Sequence, residues 1–389
     1  MELQFSETQQ AIRQTIRDYL TREVEPLVPE MEAERLLPYE PLRKMMADLG
    51  LGRGGELAAL IAESPPEENL KAFVPRVLSV EMSRVCGGFS LAYGATVGLA
   101  AGNIRSRGTD EQKQRWAAPL LKLEKIGAWA LTEPQAGSAA IRDMKATAVR
   151  DGDHYVLNGT KTFITNAPYA DVFVVYAKLR ENGSESPQAF VVERGDVGLE
   201  TGKPFKKMGF KSSPTGEVFL SDCRIPADRL LGGRASAHGA VRERLSRERI
   251  GLQAISYGIL ERAFEIALRY ARDRHQGGQP IGNYQLVQRR LARMYMALAN
   301  ARAYVFADIV SGRPLGGSVA DASVGKLYVA EMASYVATEA IHILAGNGYM
   351  EEYVIERLVR DAKLIELGGG TTEIQELTAG RWLVEHYEC

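Results

Sequence analysis

Cysteine is scarce, with Cys86, Cys223 and Cys389 the only three in 389 residues. Three cysteines without metal-ligand spacing cannot build a disulfide framework, so a reducing, cytoplasmic setting and no bound metal are expected. Net charge is also missing: 48 basic against 49 acidic residues leave −1, with a pI near 6.6. That balance gives no electrostatic reason to expect nucleic acid or an anionic membrane as partner, although a local basic patch can still hold a phosphorylated ligand. The first residues, "MELQFSETQQAIRQ", lack the apolar core and small-residue cleavage site of a secretory signal, and no export is expected. Long apolar runs are absent but for "VCGGFSLAYGATVGLAAGNI" at 85–104. Its five glycines, with Ser, Thr, Tyr and Asn, favour a helix buried on all sides within the protein over a membrane span. There is no sustained repeat or low-complexity tract.

What is present is 45% hydrophobic and 25% charged sequence, long enough for two or three packed units. "SETQQAIRQTIRDYLTREVEPL" opens on a Ser6/Gln9 capping box and sets Ile12, Ile16, Tyr19 and Leu20 at helical spacing. Further helices are predicted near 40–49, 70–84, 88–104 and 110–122, the last announced by Thr109-Asp110. Composition then changes to short β-branched and aromatic runs, "HYVLNGTKTFITNAPYADVFVVYAK" and "QAFVVERG", separated by turn residues. A small, mostly antiparallel β-barrel or sheet domain is expected there. From "RERLSRERIGLQAISYGILERAFEIALRYARDR" onward the period is helical again, with helices expected over about 284–311, 318–345 and 350–364 and a last one from Thr372. The predicted class is α+β and multidomain: helices over 1–127, a β domain over 128–232 and a four-helix bundle over 233–389.

Two glycine-rich helix ends stand out. In "LAGNGYMEEYVIERLVRDAKLIELGGGTTEIQ", Ala345-Gly346-Asn347-Gly348 breaks one helix and Gly368-Gly369-Gly370 ends the next, with Thr371-Thr372 placed to cap the last helix. Such ends let backbone approach a ligand closely and aim N–H groups at anionic oxygens. Neither run follows a strand, which excludes a Rossmann fingerprint. "WALTEPQAGS" and "KTFITN" can offer hydroxyls and backbone N–H groups to a planar ring or a phosphate, though each alone is also a common turn.

In order, "LTEPQAGS", "NGTKTFITN", "KMGFKSSPTGEVFLSDCRIP", "RHQGGQPIGNYQLVQ" and "AGNGYMEEYVIERLVRDAK…GGGTTEIQ" resemble the acyl-CoA dehydrogenases over essentially the whole chain. The resemblance implies a flavoenzyme, usually a homotetramer built as a dimer of dimers. FAD would lie between the β domain and the carboxy-terminal helices, with Trp129, Leu131, Thr132, Gly137, Ser138, Phe163, Ile164 and Thr165 lining the flavin. Arg274, Gln285, His342 and Gly346 would complete the adenosine and pyrophosphate half across a subunit interface, and Thr371 and Glu373 would stand near the ribityl and phosphate region. The implied reaction is α,β-dehydrogenation of an acyl thioester. A carboxylate takes the α proton and the β hydrogen leaves as hydride to flavin N5, while the thioester oxygen is held by the Gly369 N–H.

Many relatives carry the catalytic glutamate at the position matching Gly369, where this chain has none. A second placement, in the isovaleryl- and long-chain-type branches, puts it on the first long helix of the carboxy-terminal domain before an arginine. Here that position matches Glu248, followed by Arg249. The reading without the family is a solvated helix face with i, i+4 pairs such as Arg244–Glu248. Ser138, Ser246, Arg249, Gly369 and Gly370 are the implied substrate contacts. The chain departs from the family at Ala139, Gly277 and His342 toward the cofactor, and at Thr96 and Ser246 toward the acyl and CoA channel. Acyl-CoA with a short, branched or cyclic acyl group is the expected substrate, and electron-transferring flavoprotein the expected acceptor, with oxygen as the alternative. Competing readings are a thioester on a carrier protein and a flavoprotein scaffold without catalysis.

Overall fold

The computed structural model describes residues 4–51, 55–181, 183–233, 237–311 and 318–388, the side chains of 237–247 and 311 excepted. Ahead of the first strand lie helices α1 (Glu7–Tyr19), α2 (Val28–Glu32), α3 (Tyr39–Asp48), α4 (Glu56–Glu63), α5 (Leu70–Val85), α6 (Gly87–Tyr93), α7 (Gly102–Arg107), α8 (Asp110–Gln112) and α9 (Ala118–Leu121). The Ser6/Gln9 capping box forms, and a second one joins Thr109 to Gln112. Within the uncharged run at 85–104, extended Cys86 separates α5 from a continuous helical path that begins at Gly87, and the middle of that path, Gly94–Ala101, is wound as a π-helix. Among the described residues no helix is long and apolar enough to cross a membrane.

Strands β1 (Gly127–Ala130), β2 (Thr147–Asp151), β3 (His154–Thr165), β4 (Val172–Glu181), β5 (Ser184–Glu193), β6 (Leu199–Thr201) and β7 (Thr215–Pro226) make one seven-stranded sheet. β1 and β2 both run parallel to β4, and the remaining pairings are antiparallel. The buried centre of β4, from Val172 to Ala177, explains its unbroken apolar run: both faces are covered.

The carboxy-terminal bundle is α10 (Ala237–Asp273), α11 (Gln285–Ser311), α12 (Val319–Leu344), α13 (Ile355–Leu367) and α14 (Thr372–His386). Between α10 and α11, β8 (His275–Gln276) and β9 (Gln279–Pro280) form a hairpin whose turn is Gly277-Gly278. Both glycines have positive φ, and a Cβ on Gly277 would stand 2.5 Å from the Tyr284 hydroxyl.

α10 also packs against α5, so helices from both ends of the chain share one core with the sheet. An ionic network crosses that junction: Arg13 and Arg17 of α1 and Arg84 of α5 meet Glu81 of α5 and Glu261 of α10, with Arg13 2.6 Å from each carboxylate.

Candidate active site

One half of the site is built on the sheet. Lys161 of β3 is fully buried, an arrangement tolerable only with partners, and its Nζ donates to the Leu131 carbonyl at 3.0 Å and to Glu133 Oε1 at 2.8 Å. Glu133 also accepts from the Lys145 and Ala146 N–H groups, and Thr162 N–H donates to the Thr132 carbonyl at 2.9 Å. Burial pushes the Glu133 carboxyl up, but Lys161 and the two N–H donors outweigh it and hold it below its ordinary range. This network locks "LTEP" against "KTFIT".

The β3–β7 register shifts between Lys161 and Ile164, and the bulge turns Phe163 outward. Phe163 takes φ +57° and is 69% exposed beside Phe205, while Ile164 is buried and Thr165 half-buried. Trp129 of β1 meets Tyr176 edge-on at 5.8 Å, and its Nε1 is buried with no hydrogen-bond partner. An out-turned aromatic and an unmatched indole N–H are features a flat heterocycle with polar edges can satisfy, so the residues present fit a flavin. Gly137 and Ser138 are exposed on the adjoining turn. Thr96 does not belong with them: its buried Oγ1 accepts from Gly127 N–H at 3.2 Å and from Asn166 at 3.1 Å, which holds β1 to the π-helix.

The other half is helical. α13 ends at Gly368, and Gly369 and Gly370 follow with φ of +64° and +90°. Thr371 occupies the N-cap position of α14, yet its hydroxyl makes no capping bond to the helix. It bonds instead to the exposed Glu373, which lowers that carboxyl's pKa. A Cβ on Gly369 would stand 2.2 Å from Leu252 Cδ1 and 3.7 Å from the carboxyl carbon of half-buried Glu248. The helix residue and the glycine turn therefore converge on one place. Arg249 is buried, donates through Nη1 to Ser323 Oγ at 3.0 Å, and has its pKa lowered by burial against the raising effect of Glu248. The Ser246 side chain lies outside the described residues.

Glu366 is engaged elsewhere, with Lys363 at 2.6 Å on one oxygen and Ser334 on the other. Arg274, Gln285, His342 and Gly346 are all exposed in this chain. Tyr349 and Leu286, 76% and 72% exposed, lie close to them in sequence. Sequence reasoning missed Leu252, Lys326 and Gln375, all of which shape the turn. Leu252 fills the room beside Gly369, and Lys326 reaches the turn's carbonyls from α12. The only signal for Lys326 was a lone lysine within the apolar "SVGKLYVA". Among the described residues no group of three or more His, Cys, Asp or Glu could hold a metal ion.

Three family models cover the chain: "Acyl-CoA dehydrogenase, N-terminal domain" over 6–124, "middle domain" over 128–223 and "C-terminal domain" over 238–384. A short-chain specific acyl-CoA dehydrogenase from Clostridium acetobutylicum is 34% identical over 97% of this chain and 98% of its own. The mitochondrial isovaleryl-CoA dehydrogenase of Pongo abelii is 35% identical, covering 97% and 88%. Among solved structures, a glutaryl-CoA dehydrogenase from Mycobacterium smegmatis in complex with FADH2 is similar with a TM-score of 0.87 at 26% identity, covering 99% and 96%.

Proposed function

We propose, on the premise that this chain belongs to the acyl-CoA dehydrogenase family, that Glu248 removes the α proton of an acyl thioester to give the 2-enoyl product. The family's activity, oxidation of a CH–CH bond in an acyl thioester with FAD as cofactor, is this chain's as well. When bound, FAD supplies the acceptor for the β hydrogen and its two electrons.

The observation that supports Glu248 is its carboxyl carbon 3.7 Å from where a side chain on Gly369 would begin. A base there reaches the α carbon from the helix side and leaves the turn free to serve through its backbone. The developing enolate oxygen needs preorganised donors, and the Gly369 N–H is the one this chain offers. Arg249 beside the base favours its charged form before the proton moves. Trp129, Leu131, Thr132, Gly137, Ser138, Phe163, Ile164 and Thr165 would hold the flavin, with Thr371 and Glu373 toward its ribityl and phosphate region. Ser138, Ser246, Arg249 and Gly370 contact the thioester. Leu252 narrows the pocket beside the turn, which suits a short, branched or cyclic acyl group.

The exposed Arg274, Gln285, His342 and Gly346 would reach the FAD of a neighbouring subunit in a homotetramer, with electron-transferring flavoprotein as the acceptor. A guanidinium suits a pyrophosphate because its fixed fork of donors matches the phosphate oxygens. Anaerobic mixing of the purified protein with a panel of acyl-CoA thioesters, followed by flavin absorbance, tests the reading. Bleaching by short or branched acyl-CoA is expected. Bleaching only by carrier-bound thioesters replaces the substrate, and none by any thioester replaces the enzyme with a scaffold.

A further inference from the structure

A triple glycine with two positive φ values is a poor platform for a catalytic N–H, because glycine leaves the peptide planes free to swing. Something must hold this one. Lys326 points into the buried side of α12, among Ala322, Ser323, Val329 and Ala330, and is 1% exposed. Its Nζ donates to the Gly370 carbonyl at 2.7 Å and to the Glu366 carbonyl at 3.3 Å. Those two carbonyls bracket Gly368 and Gly369. From the opposite side, Gln375 Nε2 of α14 donates to the Gly369 and Gly370 carbonyls, each at 3.0 Å. A cation at this point also meets the negative end of α13.

We propose that Lys326 is a positioning residue for thioester dehydrogenation: its ammonium clamps the Glu366 and Gly370 carbonyls, so pinning the turn on either side of the Gly368–Gly369 peptide that presents the Gly369 N–H, and faces its charge toward Glu248. This rests on the reading of Glu248 and Gly369 given above. The charged groups facing Lys326 are Glu248 and Arg249 of α10, Glu366 of α13, Glu373 of α14 and Glu331 of α12 itself. Burial pulls the ammonium down to about 8, with Glu248 opposing and Arg249 reinforcing the drop. Below that pH the clamp is charged; as pH rises through it, the charge-assisted bonds weaken and the turn loosens.

The test compares holoenzyme carrying Lys326→Met or Lys326→Arg with the parent. Three quantities are read: FAD content, anaerobic flavin reduction from pH 6 to 9.5 with the best acyl-CoA of the panel, and backbone hydrogen exchange over residues 366–371. The parent should lose rate on the alkaline side near pH 8, and its 366–371 amides should lose protection over the same range after correction for intrinsic exchange. Lys326→Met should keep FAD, reduce at least about tenfold more slowly without that alkaline limb, and exchange faster at the turn; a ~1 Å misplacement can cost as much as 10²-fold. Lys326→Arg should regain part of the rate with the limb moved out of range. Parental rate, pH profile and exchange in Lys326→Met overturn the proposal even where Glu248→Gln is inactive. If Glu248→Gln reduces as fast as the parent, the base assignment fails, and the exchange measurement still decides the clamp. Should Lys326→Met fail to fold, a pH-independent turn in the parent overturns the clamp.

Discussion

The carboxyl carbon of Glu248 lies 3.7 Å from the point where a Cβ on Gly369 would stand, although 121 positions separate them in the chain (369 − 248). Glu248→Gln keeps size and removes the proposed base. Flavin content should be unchanged, while reductive bleaching by acyl-CoA slows by at least about a hundredfold, the low end for general-base catalysis. Stopped-flow absorbance under anaerobic conditions measures it.

Returning the base to the turn should need more than an exchange of two residues. In Glu248→Gly with Gly369→Glu, the new Cβ would fall 2.2 Å from Leu252 Cδ1, on a backbone with φ +64°. The left-handed conformation adds roughly 1–2 kcal/mol for a residue with a side chain. That double variant should therefore remain slow, and adding Leu252→Ala should recover rate, most of all for straight-chain substrates. A double variant as fast as the triple would show that Leu252 moves aside unaided.

Lys161→Met leaves the Glu133 carboxylate buried without its cation. Breaking such a pair costs about 3–5 kcal/mol, so the urea midpoint should fall and FAD should be lost together with it. The paired change Lys161→Met with Glu133→Gln should be milder, because no buried charge is stranded. The Glu133 pKa lies below its ordinary value, so its contribution is present above that value and lost as pH falls through the folded one.

Acid should release the amino-terminal helix. Burial raises the Glu261 carboxyl, but Arg13, Arg84 and Arg17 outweigh it and bring it down to about 2. Because the folded pKa is depressed, the stabilisation is whole above the ordinary value of 4.5 and is lost as pH falls from there toward about 2. Hydrogen exchange over Glu7–Tyr19 should accelerate across that range, and Glu261→Gln should flatten the response.

Arg274→Ala tests the shared cofactor site. Loss of one charge-assisted contact, worth about 1.5–3 kcal/mol, should weaken FAD retention by roughly tenfold or more. Analytical ultracentrifugation beside the flavin spectrum should show the oligomer and FAD declining together. A monomer that holds FAD normally would contradict the arrangement.

Much of this was legible because local chemistry and global position agree. Ser6 and Thr109 cap helices as their neighbours foretold, and the apolar spacing through 285–311 and 319–344 marks the bundle. α4 escaped because "GRGGELAALIAESPP" is framed by glycine and proline and none of its side chains is fully buried, so its period is faint. The π-wound stretches at Leu20–Val24, Gly94–Ala101 and Lys113–Ala117 were not foreseen either, since one extra residue per turn leaves no mark in composition. At the site, glycine positions announced the turn. Leu252 and Lys326 did not announce themselves, because an apolar residue or a lone lysine on a helix takes its meaning from the element packed against it. Thr96 shows the converse: it was singled out only as a departure from the family, and its partners make it a tie between β1 and the π-helix.

The ion pair between Arg13 and Glu261 joins residues 248 positions apart. During synthesis, therefore, α5 can take the apolar face of α1 and offer Glu81 to its arginines, but Glu261, the second carboxylate that Arg13, Arg17 and Arg84 share, has not yet been made. At about 5–20 residues per second that wait is roughly 12–50 s, long compared with helix formation and hydrophobic collapse. Nascent chains are thus expected to hold three arginines around the single carboxylate of Glu81 until α10 arrives, and Glu81→Gln to lower yield in the cell more than it lowers the stability of the finished fold, where Glu261 shares the load.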